Sequence, residues 1–448
     1  MSRTDQLTGS IGVTEATALL VGNVIGVSIF VLPGPLAGQA GPAVAIGILL
    51  AAVPLAFGIL TTLQLGSAIP VAGGNYVYGS RLVHPYAGFL IPWLVVPGVW
   101  AGLLFIGVGF AEYVGVFTDI PELALIYVIL VPFLGLNIVG IRPVARVQLT
   151  LVVLLLASMV LFIVPGAVAI DPGNYTPFLP NGVGPFALAV VSLYFPLRGF
   201  SLIVDLGEEL DDPVRTIPRV LLYSALIALT LFVLLVVVLV GVMDWQELGA
   251  ADAAVVAASR TFLPAALVPV VAAGAVIGAL TSISTTYTGF SRALMRAARD
   301  DVFPSVIARI DPRFGTPSIA LLVLGIPPLL FAPVAPSPVV LSVWLALSVL
   351  SGATVNAVAL WKLPQRFPRR YETAGFQLPP RALKAVAVLT ALTSLVLIVV
   401  TTLRLPWMMG LFLGWAAVGY GYYRLRARSL ADDGVDLPER MRTLADHE

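Results

Sequence analysis

Apolar residues run in long blocks along this chain, separated by short polar stretches or by Gly and Pro, instead of alternating or recurring every third or fourth position. A helix needs about 20 apolar residues to span a bilayer. Twelve blocks approach or exceed that length, at roughly 11–36, 41–65, 86–117, 123–140, 146–169, 185–206, 219–243, 263–297, 317–334, 338–361, 382–403 and 405–424. Runs such as Leu151–Val164 are apolar throughout, whereas transmembrane strands alternate between lipid-facing and lumen-facing residues. The pattern predicts an all-α polytopic membrane protein with twelve transmembrane helices. The first block is too long for a signal-peptide h-region, has only Arg3 ahead of it and lacks a small-residue cleavage site before the second block. It is expected to remain as a span.

Composition sharpens this picture. Hydrophobic residues make up 59% of the 448 and charged residues 11%, against about 25% charged in soluble domains. With no cysteine, and only His84 and His447, neither a thiol nucleophile nor a Cys- or His-built metal cluster is available. A net charge of +1 offers no basic face for nucleic acid. The 25 Lys and Arg are distributed unevenly. If the N-terminus is cytoplasmic, all except Arg198, Arg260 and Arg404 fall in cytoplasmic loops, helix ends or tails. The positive-inside rule then predicts a multi-pass protein of the cell membrane with both termini in the cytoplasm. Residues 1–10 and 425–448 read as cytoplasmic tails. The polar, mixed-charge stretch after Arg428 is expected to be poorly ordered.

Two spans are interrupted. Within a bilayer, unpaired backbone groups are tolerated only where they line a cavity or are buried in protein, so an interrupted span points to a site. The first span holds Gly22-Asn23-Val24-Ile25-Gly26-Val27-Ser28-Ile29-Phe30 followed by Pro33-Gly34-Pro35. A break near Gly26–Ser28 frees N–H groups at a half-helix N-terminus, where a carboxylate is favoured. Gly22 and Gly26, four apart, equally suit a small-residue packing face. The sixth span holds Tyr194-Phe195-Pro196-Leu197-Arg198-Gly199-Phe200-Ser201, where Pro196 and Gly199 predict an unwound stretch with free carbonyls. The breaks open two five-span halves, 11–169 and 185–361. That is the layout of an inverted-repeat secondary transporter binding its substrate between the halves. Residues 382–424 add two further helices outside the repeat.

At these residues the chain resembles the amino acid–polyamine–organocation transporter superfamily, whose members have the LeuT-type fold. The first-span motif is one point of likeness, and Ile69-Pro70-Val71-Ala72-Gly73-Gly74-Asn75-Tyr76-Val77-Tyr78 is a second. Gly199-Phe200 with Glu208-Glu209, Asp212-Pro213 and Thr216-Ile217-Pro218-Arg219 is a third, and Ser291-Arg292, Ala298-Arg299-Asp300 and Thr316-Pro317 a fourth. The resemblance implies alternating-access transport of an amino acid. It implies a substrate carboxylate at the N–H groups around Gly26, Val27 and Ser28, an amino group at the carbonyls of Val24, Phe195 and Arg198, and Phe195 as an occluding ring. Ile25, Leu197, Gly199 and Ser201 complete the expected substrate site. The chain departs from the family in having Gly26-Val27-Ser28 where Gly-Ser-Gly is usual, Ser201 where an acid is usual, and Arg198 where a small or apolar residue is usual.

An arginine in mid-membrane costs ~2.5 kcal/mol or more and needs a partner. Arg198 reads either as a counter-charge for an organic anion or dicarboxylic amino acid, or as half of an internal pair with Glu112 or Asp205. Asp205, one turn beyond Ser201, is also a candidate for proton coupling, while Glu112 is expected near the outer interface. The eighth span carries Gly278-Ala279-Leu280-Thr281-Ser282-Ile283-Ser284-Thr285-Thr286, a hydroxyl density suited to a hard cation. The resemblance implies sodium between the carbonyls of Gly22, Ile25 and Gly278 and the hydroxyls of Thr281 and Ser282. Relatives that place a lysine from the fifth helix there have their counterpart here in Leu155. No organic cofactor is expected, and the partners are a small amino acid and the lipid bilayer.

Other classes are weaker. The acidic run Glu208–Asp212 resembles half of a membrane prenyl transferase metal site, but the second acidic cluster such an enzyme needs is missing. A channel would carry repeated short pore segments, which the chain lacks. A nutrient sensor of the same fold shares every feature above.

Overall fold

The apolar blocks become helices, with no strand among the described residues, in a computed structural model that describes residues 12–69, 73–140, 145–201 and 213–442, apart from the side chains of residues 19, 23, 145, 146, 198, 201 and 213–215. In chain order the helices are α1 (Val13–Val24), α2 (Ser28–Val31), α3 (Pro33–Ala40), α4 (Val44–Ala68), α5 (Gly74–Tyr78), α6 (Pro85–Gly115), α7 (Glu122–Val139), α8 (Ala145–Val168) and α9 (Val183–Leu197). They continue as α10 (Pro213–Val242), α11 (Trp245–Ala250), α12 (Ala254–Ser259), α13 (Val268–Arg299), α14 (Ser318–Phe331), α15 (Pro338–Arg366), α16 (Pro368–Glu372), α17 (Pro380–Arg404), α18 (Pro406–Asp432) and α19 (Leu437–Arg440). Proline opens α3, α6, α15, α17 and α18 at the first helical position, where its missing N–H would have had no helical acceptor.

Among the described residues, eight segments are long and apolar enough to cross a membrane: Ser28–Ala68, Pro85–Gly115, Glu122–Val139, Val147–Val168, Thr216–Val242, Val268–Arg299, Pro338–Arg366 and Pro380–Arg404. The first of these takes in α2, α3 and α4, with the chain turning at Gly41. Its φ of 68° and ψ of −163° exclude a side chain, and a Cβ there would also strike Pro180.

The long helices α6 and α13, of 31 and 32 residues, pack on each other, and α15 lies along α6. Helix α1 is held by α10, α8 and α13. At one end of the bundle, α11 and α12 lie over α2 and α3, with Gly38 and Gly249 meeting backbone to backbone. At the other end, Asp300 accepts hydrogen bonds from Tyr76 (2.7 Å) and Arg81 (2.9 Å) and pairs with Arg296 at 3.2 Å.

The tail differs from expectation. Helix α18 runs through Arg424, Arg426 and Arg428 to Asp432, and α19 follows. Leu437 and Met441, four apart, are fully buried, while Arg440 pairs with Asp301 at 2.9 Å. An apolar pair at helical spacing and a complementary charge dock a segment that composition alone marks as loose.

Candidate functional site

The first predicted span is broken where its glycines suggest. The ladder of α1 ends with Ile25 N–H donating to Val21 O at 2.9 Å. It resumes only with Phe30 and Val31 N–H donating to Val27 O at 3.0 and 3.2 Å. Gly26 and Val27 form an open turn between them. The last carbonyls of α1 therefore lack helical donors, and the first N–H groups of α2 lack helical acceptors. Pro33 and Pro35 remove two more donors, and Tyr113 donates to Phe30 O at 2.7 Å. The sixth predicted span changes form slightly later than expected. Pro196 is still helical, α9 ends at Leu197, and Arg198–Ser201 tighten into a 3-10 turn that packs on α1.

Both interruptions border one cavity of roughly 80 Å³. Val24, Gly26, Val27 and Ser28 come from the first, and Phe195, Pro196 and Gly199 from the second. Each water needs about 10–15 Å³ on such a measure, so the space corresponds to about five to eight waters or one small organic molecule. Two expected residues, Ile25 and Leu197, are fully buried in packing and do not line it. The side chains of Arg198 and Ser201 and the whole of Asp205 lie outside the described residues. Glu112 has another partner, accepting from Ala253 N–H at 2.7 Å. Ala253 precedes α12 with a φ of 49°, so Glu112 caps the segment that lies over α2 and α3.

Five further wall residues had no mark in the sequence. Val99, Gly102, Phe105 and Ile106 of α6 and Leu345 of α15 are apolar residues in apolar spans. The Phe105 and Phe195 rings meet edge to face, centroids 4.9 Å apart. No described wall residue is charged.

Helix α13 contributes Ser282 and Thr286 and presses against the first break. A Cβ on Gly278 would lie 2.8 Å from Gly26 C and 2.9 Å from Val27 N, and one on Gly26 would strike Ser282 Oγ. Backbone thus touches backbone at Gly26–Gly278. Thr281 donates its hydroxyl to Gly278 O at 3.0 Å, and Thr286 donates to Ser282 O at 2.8 Å, leaving hydroxyl lone pairs as acceptors. Gly278 and Ser282 therefore meet the first break directly. Gly22 faces Val152 of α8, and Leu155 of the same helix is fully buried. The oxygens gathered here are backbone carbonyls and Ser and Thr hydroxyls, all neutral.

A model of the amino acid permease family matches residues 11–409. The chain is similar to an uncharacterized transporter of Mycobacterium tuberculosis, with 31% identity over 72% of this chain and 73% of that one. It is similar to the branched-chain amino acid permease BcaP of Bacillus subtilis, with 26% identity over 93% of each. The large neutral amino acids transporter small subunit 2 of Oryctolagus cuniculus shares 31% identity over 70% of this chain and 62% of its own.

Proposed function

Because this chain belongs to the amino acid permease family, whose members are transporters and not enzymes, we propose that it is a secondary active transporter carrying a neutral amino acid across the cell membrane by alternating access. The observation that carries the reading is that both interrupted helices border the same small cavity. In this mechanism the substrate carboxylate rests on N–H groups of Gly26, Val27 and Ser28, where a helix N-terminus favours negative charge. The ammonium meets the carbonyls of Val24, Phe195 and Arg198. The side chain lies on the apolar wall of Val99, Phe105, Ile106 and Leu345, and Phe195 closes over it. A wall without described charges favours a neutral side chain, as does the name of the large neutral amino acids transporter subunit.

The coupling ion in this reading is sodium, held by the carbonyls of Gly22, Ile25 and Gly278 and the hydroxyls of Thr281 and Ser282. The donor set fits, since a hard monovalent cation takes neutral oxygens and the C-terminal end of a half-helix offers free ones. When bound, the ion supplies positive charge beside the substrate carboxylate and ties α1 to α13.

Twelve crossings, a five-plus-five inverted repeat over 11–169 and 185–361, and cytoplasmic termini complete the proposal. Two features support it. Each half opens with an interrupted helix and has a very long one, α6 or α13, in third place. Arg81, Arg296, Arg426 and Arg440 gather at one end of the bundle, while Arg404 packs against Gly184 at the other. The test is uptake of labelled neutral amino acids into proteoliposomes, with external sodium or choline. Sodium-dependent uptake is expected. Uptake unchanged in choline eliminates the ion, and no uptake of any amino acid eliminates the transporter reading.

A further inference from the structure

Between Trp361 and the first turns of α17 the chain carries Lys362, Arg366, Arg369, Arg370, Arg381 and Lys384 against a single acid, Glu372. The segment that holds them is fastened to the bundle. Leu378 N–H donates to Gln64 Oε1 at 2.7 Å, Ser67 Oγ donates to Phe376 O at 3.0 Å, and Tyr371 donates its hydroxyl to Leu378 O at 2.6 Å. Gln64 and Ser67 lie in the last turns of α4, so the cations ride on a frame fixed to a membrane helix. Arg366, Arg369, Arg381 and Lys384 are exposed and make no ion pair among the described residues.

Lys384 also heads an apolar stripe. Val388, Leu392 and Leu395 follow it at helical spacing and are 51%, 54% and 47% exposed. From Lys384 to Leu395 the helix rises about 16 Å, close to half of the ~30 Å hydrocarbon core. The stripe therefore runs the depth of one leaflet. Helix α15 packs along α17 and adds exposed Val358 and Trp361. Lys384 Nζ sits 5.4 Å from the centre of the Trp361 ring, so the two faces meet there. Beyond that contact, Arg381 lies about one turn further on α17, and Arg366 just over one turn further on α15. Tryptophan and basic residues gather at headgroup depth.

Cations at the mouth of an apolar surface one leaflet deep match an amphiphile with a negative head. A free anion would use the cations alone. A second copy of the chain, related by a two-fold axis along the membrane normal, would bring both cation groups to the same depth, where like charges repel. We propose that these faces of α15 and α17 form a binding site for an anionic phospholipid, its phosphate on Arg381 and Lys384 with Arg366 beside them, and an acyl chain along Val388, Leu392 and Leu395. Bound there, the lipid braces α17 against α15, the helix that supplies Leu345 to the central cavity. The proposal requires only that these helices cross a bilayer and does not depend on the transporter reading.

Native mass spectrometry of the delipidated protein in detergent, titrated with phosphatidylglycerol or with phosphatidylcholine of the same acyl chains, tests it. Each basic residue near an anionic surface strengthens binding by about fivefold. The wild type is therefore expected to take up phosphatidylglycerol at least tenfold more tightly than phosphatidylcholine. Arg381→Gln/Lys384→Gln should lose that preference, and Lys362→Gln/Arg366→Gln should weaken it. The two pairs lie on different helices, so a folding failure in one leaves the other to decide. Arg424→Gln/Arg428→Gln, which removes exposed cations of α18 instead, should keep the preference. Equal binding of the two lipids to the wild type, a preference retained in Arg381→Gln/Lys384→Gln, or an equal loss in the α18 variant overturns the site. Displacement of phosphatidylglycerol by inorganic phosphate overturns the assignment to a lipid.

Discussion

The contact between Gly26 and Gly278 makes Gly278→Ala the most informative substitution. An added methyl would sit 2.8 Å from Gly26 C, 2.9 Å from Val27 N and 3.0 Å from Gly26 O. Carbon contacts prefer about 3.5–4.0 Å, so α13 and the interrupted span must part by roughly 0.7 Å or more. The obstacle is main chain, which cannot rotate aside. Overpacking of this kind costs about 1–3 kcal/mol, while replacing glycine in a helix returns up to about 1 kcal/mol, leaving a modest net loss of stability. Binding should suffer more, because a site must be held within about 0.5 Å. At least tenfold weaker leucine binding is expected, which corresponds to about 1.4 kcal/mol. Gly289→Ala, on the same helix with open space around its Cβ, is the control and should bind as the wild type does. The measurements are leucine affinity and thermal unfolding of the detergent-purified proteins. Wild-type affinity in Gly278→Ala, or an equal loss in Gly289→Ala, would refute the argument that this backbone contact builds the site.

Three further substitutions probe separate parts of the structure. Removing hydroxyl oxygens by Thr281→Val or Ser282→Ala should raise the sodium concentration for half-maximal uptake at least tenfold, with uptake restored at high sodium; an unshifted sodium curve would exclude these hydroxyls as ligands. Leu345→Ala enlarges the apolar wall and should improve the affinity for phenylalanine relative to leucine by about tenfold or more, and competition for leucine uptake reads the ratio; an unchanged ratio would remove Leu345 from the substrate wall. Asp300→Asn removes a carboxylate shared by Tyr76, Arg81 and Arg296, with the Arg81 side chain only 1% exposed. Breaking such a buried pair costs about 3–5 kcal/mol, so unfolding at a clearly lower temperature is expected, and an unshifted transition would mean that the cluster is not stabilising.

Membrane insertion, helical class and the two interruptions were legible along the chain because each depends on local chemistry. Continuous apolar blocks must satisfy their backbone groups internally, which dictates helix. Gly22, Gly26, Pro33, Pro35 and Pro196 act on the hydrogen bonds of their own turns. The resemblance in the first and sixth spans therefore led to six of the cavity residues: Val24, Gly26, Val27, Ser28, Phe195 and Gly199. Ile25 and Leu197 share those segments but turn into packing, because neighbours along a helix face different directions.

Tertiary structure decided the rest. Val99, Phe105, Ile106 and Leu345 resemble every other apolar residue of their spans until α6 and α15 are packed against the interruptions. Asn356 is one polar residue among many until Asn75, 281 positions away, takes its amide and leaves its oxygen without a donor. The docking of Leu437 and Met441, and the capping of Ala253 by Glu112, also join residues distant in the chain. Hydropathy and helix breaking act within a turn or two, so the linear order of residues determines them. Walls, orphaned acceptors and backbone contacts such as Gly26–Gly278 arise between helices, and their packing alone determines those.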